Sequence, residues 1–474
     1  MTRQDDRFID RAALEGRLEP FLLRRLDPGR QRFRLRSFQP VLSANRLDLA
    51  TKLAFLQSRG LAPASFPARL YDAHVAAFSL GSMSEPGSPE KQGAKGFRSA
   101  FLALLDSMSR GGFDPQRSLI PLAADGSILN GAHRAACALH LGLPLTGIET
   151  ELEPVRYDGA YFRARGMSEA DLDAMALAHV ERATDTAIAV LFPGAPLRGD
   201  RAAALPGRTV YARRLHLSPR GAQNLLTEIT HGAPIWGHRK PVRARLLVLD
   251  LPATPDCTAL RAELRTQCSG APVAVHVTET HGEAVRLARL LLNRQGRHFL
   301  DHASPPHLAE LAETVSGFRA ALTGQGANPD RTVLGAEMVL GAFGLRAPQT
   351  VGYLSCEPVA LPAPYQRVET ADDSPGVAEI LSDPALHFRF RNQHFLSLPL
   401  VTEGLRRSGS AQDGDTLIKM AELLQPLRES GWSYRLARLR LAHARARHAG
   451  IRLLEFLRLK EAARRLYRRA RPHR

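Results

Sequence analysis

The 474-residue sequence predicts a mixed α/β (α+β) fold of two or three domains with a basic helical C-terminal tail. Three observations predict it. The chain is longer than the size at which one hydrophobic core usually stops growing. Beyond the first hundred residues, strand-like apolar runs bounded by turn signals alternate with segments of helical spacing. Of the net charge of +17, +12 lies in residues 431–474, where fourteen Lys and Arg face two acids, Glu455 and Glu461. The basicity is therefore a tail property and not the footprint of a nucleic-acid-binding domain. A hydrophobic share of 44% with 23% charged residues excludes disorder as the default.

Residues 1–75 read as a helical region, with helix-like spacing of apolar positions in "RLDLATKLAFLQSRGLAP". The amino terminus has no apolar h-region, and no window offers the about 18 uninterrupted apolar residues of a spanning helix, so a cytoplasmic location is expected. Cys137, Cys257, Cys268 and Cys356 lack C-x-x-C spacing and read as reduced thiols. "GSMSEPGSPEKQGAKG" (81–96) reads as a loop, and the helix after it sets Phe97, Phe101, Leu104, Leu105 and Met108 on one face. "RSLIPLAADGSILNG" reads as two short strands about an Asp-Gly turn. "YFRARGMSEADLDAMALAHVERA" reads as a helix capped by Ser168 with Asp171. From Thr186, strands "AIAVLF", "RARLLVLDL" and "PVAVHVTET" alternate with the helix "EAVRLARLLLN".

The stretch "SILNGAHRAACALHLGLPL" (127–145) concentrates the chemistry. A strand, a Gly turn and a helix start form an anion site, because unpaired first-turn amides and the positive end of the helix dipole converge there. Asn130 suits the turn, Gly131 permits positive φ and close ligand approach, Ala132 opens the helix, and His133 and Arg134 add directed donors. These five residues form the expected phosphate cradle.

"GFDPQRSLIPLAADGSILNGAHRAACALHLGLPL" resembles the core of the ParB/sulfiredoxin-like superfamily, whose GxHR element carries nucleotide phosphates. The resemblance implies a nucleotide-binding domain over 76–180 that takes ATP or ADP, with Mg²⁺. Ala132 stands where sulfiredoxins carry their nucleophilic cysteine, which disfavours sulfinic-acid reduction. The strand-like "TAIAVLF" follows where partition-type ParB proteins place a helix-turn-helix, which disfavours DNA clamping. The motif also resembles that of free-serine kinases, which implies phosphoryl transfer with a carboxylate as general base; Glu85 or Asp125 is the candidate.

"RTVLGAEMVLGAFGLRAPQTVGYLS" (331–355) resembles a nucleotidyltransferase-like helix–strand element within a domain expected over 186–400. Ala336 replaces its serine, and Thr350 and Gly352 occupy the places of its metal-binding carboxylates, so that domain is expected to be inactive, with no metal. His276, Glu279, His281 and Glu283 invite a metal reading, but a Thr280-x-x-Glu283 capping box explains Glu283 without an ion. The order of elements resembles bacterial proteins joining the two domain types, some associated with surface-polysaccharide gene clusters. That nominates a small hydroxylated or glycan-linked acceptor. The rival expectation is a non-catalytic nucleotide-sensing scaffold.

Residues 401–474 read as a helical region whose basic end places Leu453, Phe456, Leu457 and Tyr467 among arginines, with a break at Gly450. Such a helix suits an anionic membrane surface, peripheral at the inner membrane face, or a protein partner; nucleic acid is the disfavoured partner. The tail is expected to be dispensable for nucleotide binding.

Overall fold

In the computed structural model, which describes residues 7–85, 87–192, 208–230, 241–251, 256–267, 275–370, 374–409, 413–425 and 431–456, helices and strands gather into three sheets and one hairpin. The first sheet runs Arg7–Asp10, Arg32–Phe38, Leu145–Glu149, Ile120–Leu122. Its last two strands are parallel and are joined across the helix Ala132–Leu141; the other pairings are antiparallel.

The helical region expected over 1–75 is thereby corrected. Helices Leu47–Gln57 and Phe66–Phe78 form, but Arg7–Asp10 and Arg32–Phe38 are strands of the first sheet. "RFRLRSF" alternates arginines with Phe33 and Leu35, a period-2 pattern, and Phe33 is buried beneath the sheet. The loop expected over 81–96 is also corrected. Ser84–Glu85 and Ser88–Gln92 pair as an antiparallel hairpin with Gly87 at φ +83°, and the helix Gly93–Gly111 begins before the stretch ends. Of the two strands expected about the Asp-Gly turn, only Ile120–Leu122 forms; Ile128 contributes a single bridge to Leu122.

The second sheet, Val275–Val277, Thr186–Leu191, Val242–Asp250, Thr209–Leu217, is antiparallel throughout. The third runs Tyr365–Arg367, Val351–Ser355, Thr332–Leu334, Gln393–Leu396, His387–Phe390. Within it the strand–Gly–helix–strand order expected at 331–355 is formed: Gly335 N–H donates to the Gly352 carbonyl (2.8 Å) ahead of the helix Ala336–Ala342. The helix Glu169–Val180 is capped as its sequence predicts, Ser168 Oγ accepting from Asp171 N–H at 3.0 Å.

The helix Leu47–Gln57 positions the site. Nine of its eleven residues are buried, because it lies between two cores. Leu49, Phe55 and Leu56 join Tyr71, Phe101 and Ala135–Ala138 on one side, and Leu47 joins Leu172, Met175 and Ile188 on the other. Each fully buried Leu or Phe contributes about 1.5–3 kcal/mol, so the cores overrule the solvation preference of the two charged residues this helix carries, Asp48 and Lys52.

The tail forms one helix, Gly431–Phe456, which continues through Gly450; an isolated helical Gly costs only about 1 kcal/mol against Ala and need not stop a helix. Ala437, Arg440, Leu441 and Ala444 make its half-buried stripe, and a Cβ on Gly166 (φ +89°) would come within 2.8 Å of Ala437 O. Arg445 Nε donates to Leu80 O at 2.7 Å, at the base of the 84–92 hairpin, so this helix is tied to the body of the chain. The Phe456 side chain, Leu457, Tyr467 and Cys268 lie outside the described residues. Among the described residues no helix is long and apolar enough to cross a membrane.

Candidate functional site

The helix Ala132–Leu141 starts at Gly131, whose φ of +91° only glycine adopts without strain. A Cβ there would lie 2.6 Å from Ile120 Cδ1. Asn130 Oδ1 accepts from Gly131 N–H (2.8 Å), and the first intrahelical bond is that from Ala135 N–H to Gly131 O (2.9 Å). The amides of Ala132, His133 and Arg134 precede that bond, at the positive end of the helix.

Asn130, Gly131, Ala132, His133 and Arg134 line a cavity of about 1030 Å³ together with Glu85. The cradle residues and one candidate base are therefore brought together. Asp125 is not: it is exposed and accepts from Ser127 N–H (2.9 Å) in the turn through Gly126. Glu85 reaches the cavity already paired, Oε2 lying 2.7 Å from Lys91 Nζ across the hairpin.

His133 and Arg134 are more constrained than two free cationic donors. His133 Nε2 lies 3.0 Å from Tyr71 Oη, and burial, with Lys52 and Lys91 close by, holds the imidazole well below its ordinary pKa. His133 is thus a neutral ring. Arg134 Nη2 is 3.2 Å from Glu19 Oε1 at the cavity wall, while Glu19 Oε2 is buried with no hydrogen-bond partner among the described residues.

Four residues on the cavity wall escaped sequence reasoning. Asp48, fully buried, accepts from Arg46 Nε and Nη2 (2.9 Å each) and from Lys52 Nζ (2.9 Å). Arg46 also donates to Ile128 O (2.8 Å) and stacks its guanidinium on Tyr157, 5.1 Å from the ring centre. Lys52 Nζ lies 2.9 Å from His74 Nε2, and His74 Nδ1 lies 2.5 Å from Tyr71 O. The carbonyl can only accept, so Nδ1 carries the proton and Nε2 accepts from Lys52. Burial raises the Asp48 carboxyl, but Arg46 and Lys52 outweigh it and hold the group well below the usual carboxylate range. Burial lowers Lys52, which Asp48 partly offsets, and holds His74 neutral. Tyr71 sits beneath, stacked 4.6 Å from Phe55 and 5.5 Å from Phe101.

Elsewhere the expected sites stay bland. Cys137 is buried and its thiol is pushed up to about 12, which closes thiolate chemistry there at neutral pH. Thr280 Oγ1 accepts from Glu283 N–H (3.1 Å) while Glu283 Oε2 accepts from Glu279 N–H (2.8 Å), the cap read from the sequence, and His276 pairs with Glu283 at 3.0 Å. Among the described residues no group of three His, Cys, Asp or Glu is placed to hold a metal.

Compared with known proteins, the chain matches no family model, no curated protein and no solved structure.

Proposed function

We propose that the cavity binds the phosphates of a purine nucleotide, ATP or ADP with Mg²⁺, and serves phosphoryl transfer to a small hydroxylated or glycan-linked acceptor. The observation that carries this reading is that the first-turn residues Ala132, His133 and Arg134, behind a glycine whose positive φ strains any other residue, line a cavity large enough for a nucleotide. Ala132, His133 and Arg134 would hold a phosphate by their amides, with Arg134 and Lys91 adding charge at the wall. The resemblance at GxHR supports the nucleotide. Isothermal titration with ATP and ADP tests it. Arg134→Ala is expected to weaken binding about 10- to 100-fold, the worth of a charge-assisted hydrogen bond; equal and negligible binding by both proteins defeats the reading.

A second reading, a nucleotide-sensing scaffold without turnover, is favoured by the placement of the candidate bases: Glu85 is tied to Lys91 and Asp125 lies outside the cavity. Acceptor-dependent ADP release separates the two.

We also infer that the tail attaches the protein to an anionic bilayer. Leu436, Leu439, Ile451 and Leu453 are exposed among arginines on the helix Gly431–Phe456, and each cation near such a surface is worth about 1 kcal/mol. Replacing these four residues by serine is expected to abolish sedimentation with vesicles containing phosphatidylserine while the helix stays docked through Ala437, Arg440, Leu441 and Ala444. Undiminished sedimentation, or a preference for DNA over vesicles, excludes this attachment.

A further inference from the structure

The strongest unexplained feature of the cavity is a lysine with almost no access to bulk water. Lys52 is 2% exposed, yet it lines the cavity wall. An ammonium has three N–H donors; one goes to Asp48 Oδ2 and one to His74 Nε2, both at 2.9 Å, and the third has no acceptor among the described residues. Its partners cannot neutralise the cluster. Asp48 carries one negative charge and is claimed bidentately by Arg46, and His74 is a neutral acceptor, so Arg46, Asp48, Lys52 and His74 together leave one positive charge in the interior. A buried excess charge is expensive and calls for an anionic partner. Structural ion pairs usually balance; this one is left open on its cavity side.

The surroundings say what that partner is. Lys52 stands close enough to His133, the second residue of the helix Ala132–Leu141, to act on its imidazole, as Lys91 does. Phe78 packs against the ammonium at 5.3 Å and fixes the side chain laterally. Lys52, Lys91 (paired with Glu85) and the first-turn residues Ala132, His133 and Arg134 therefore line one cavity from different elements of the fold, with the carboxylates Glu19, Glu90 and Asp114 elsewhere on its wall.

We infer that Lys52 is a ligand for a phosphoryl oxygen, with Asp48 and His74 acting as positioning residues that aim its third N–H into the cavity. The inference deepens the nucleotide-site reading by adding a contact to the phosphate that the GxHR turn does not supply. The chemistry is shared by the terminal phosphate of a nucleotide and by free pyrophosphate, and separate arms of the test tell them apart. Lys52 contributes a hydrogen bond and a charge, and no bond to it is made or broken.

Titrate ATP, adenosine and pyrophosphate into the full chain and into Lys52→Met, whose side chain keeps the volume and leaves Asp48 paired with Arg46. The variant is expected to bind ATP and pyrophosphate about 10- to 100-fold more weakly and adenosine unchanged. Unchanged ATP and pyrophosphate affinities in a variant with a native melting profile overturn the inference while leaving the nucleotide reading intact. Pyrophosphate binding that depends on Lys52, without ATP binding, sustains the inference and removes the nucleotide; binding of neither by the full chain removes both. Should Lys52→Met fail to fold, Lys52→Gln, which keeps a donor for its neighbours and loses the charge, takes its place: ATP and pyrophosphate binding is expected to fall about 10-fold or more with adenosine unchanged. Unchanged ATP and pyrophosphate affinities in that variant overturn the assignment.

Discussion

Asp48→Ala is expected to destabilise the chain by about 3–5 kcal/mol, the usual cost of breaking a buried ion pair from one side. The carboxylate is fully buried and accepts three hydrogen bonds from Arg46 and Lys52, themselves 3% and 2% exposed. Removing it strands two cations in the seam between the two largest cores of the described residues, with no other carboxylate within hydrogen-bond distance of either. Because ordinary domains are stable by only about 5–15 kcal/mol, the variant should unfold at much lower urea concentration. Asp48→Ala combined with Lys52→Met should lose less than the sum of the single changes, the sign of direct coupling. The triple variant Arg46→Met, Asp48→Leu, Lys52→Met should recover most of the lost stability, since apolar residues of similar volume can replace buried ions without loss. It should not recover phosphate binding. That contrast assigns the cluster to function; a triple variant as unstable as Asp48→Ala would assign it to the fold.

How far the sequence reveals this site depends on the range of the forces involved. The turn and helix start at residues 130–134 were legible because they are local: Asn130, Gly131 and the first helical residues are contiguous, and a positive φ at Gly131 is a backbone demand that glycine meets without strain. The Ser168 and Thr280 caps were legible for the same reason. The floor of the cavity was not. Asp48 and Lys52 stand four apart, the spacing of an exposed helical ion pair, and nothing local distinguishes that case from the buried one. The signal lay in their surroundings: Leu47, Leu49, Ala50, Leu53, Phe55 and Leu56 crowd the helix and leave the charges facing only a cavity. His74 and Tyr71, on the next helix, are joined to the motif only by tertiary contacts, Tyr71 meeting His133 across 62 positions. In the same way the strand Arg32–Phe38 takes its place from pairing with Leu145–Glu149, more than a hundred residues away, and its arginines obscured the alternation.

Acidification should unfold the protein well before its carboxylates protonate, because several histidines are buried in the neutral form. His298 and His387 are each drawn down to about 4, chiefly by burial, and His74, His133 and His394 are lowered as well, burial again leading. Burial outweighs the backbone hydrogen bonds of His298 and His387, which by themselves favour the charged ring. His387 Nδ1 meets Ile380 O at 2.6 Å and His298 Nε2 meets Leu423 O at 2.8 Å, and neither ring nitrogen of His394 has a hydrogen-bond partner among the described residues. The sign follows from linkage. In the unfolded chain these rings take up protons near pH 6.5, while the folded chain resists, so stability is complete above about 6.5 and falls as the pH drops towards 4. Each such ring steepens the fall by up to about 1.4 kcal/mol per pH unit, so His298 and His387 alone remove roughly 2 kcal/mol apiece by pH 5. Asp48, Glu169 and Glu181 are lowered in the opposite class and lose their contribution only as the pH falls below the carboxylate range, so they cannot compensate in this window. Urea unfolding at pH 8, 7, 6 and 5 should show the midpoint falling steadily, and His394→Leu, which removes one proton-binding group from the unfolded chain, should flatten the dependence by about one ring's share. A midpoint unchanged from pH 8 to 5 would mean that these rings are as well solvated in the folded chain as in the unfolded one.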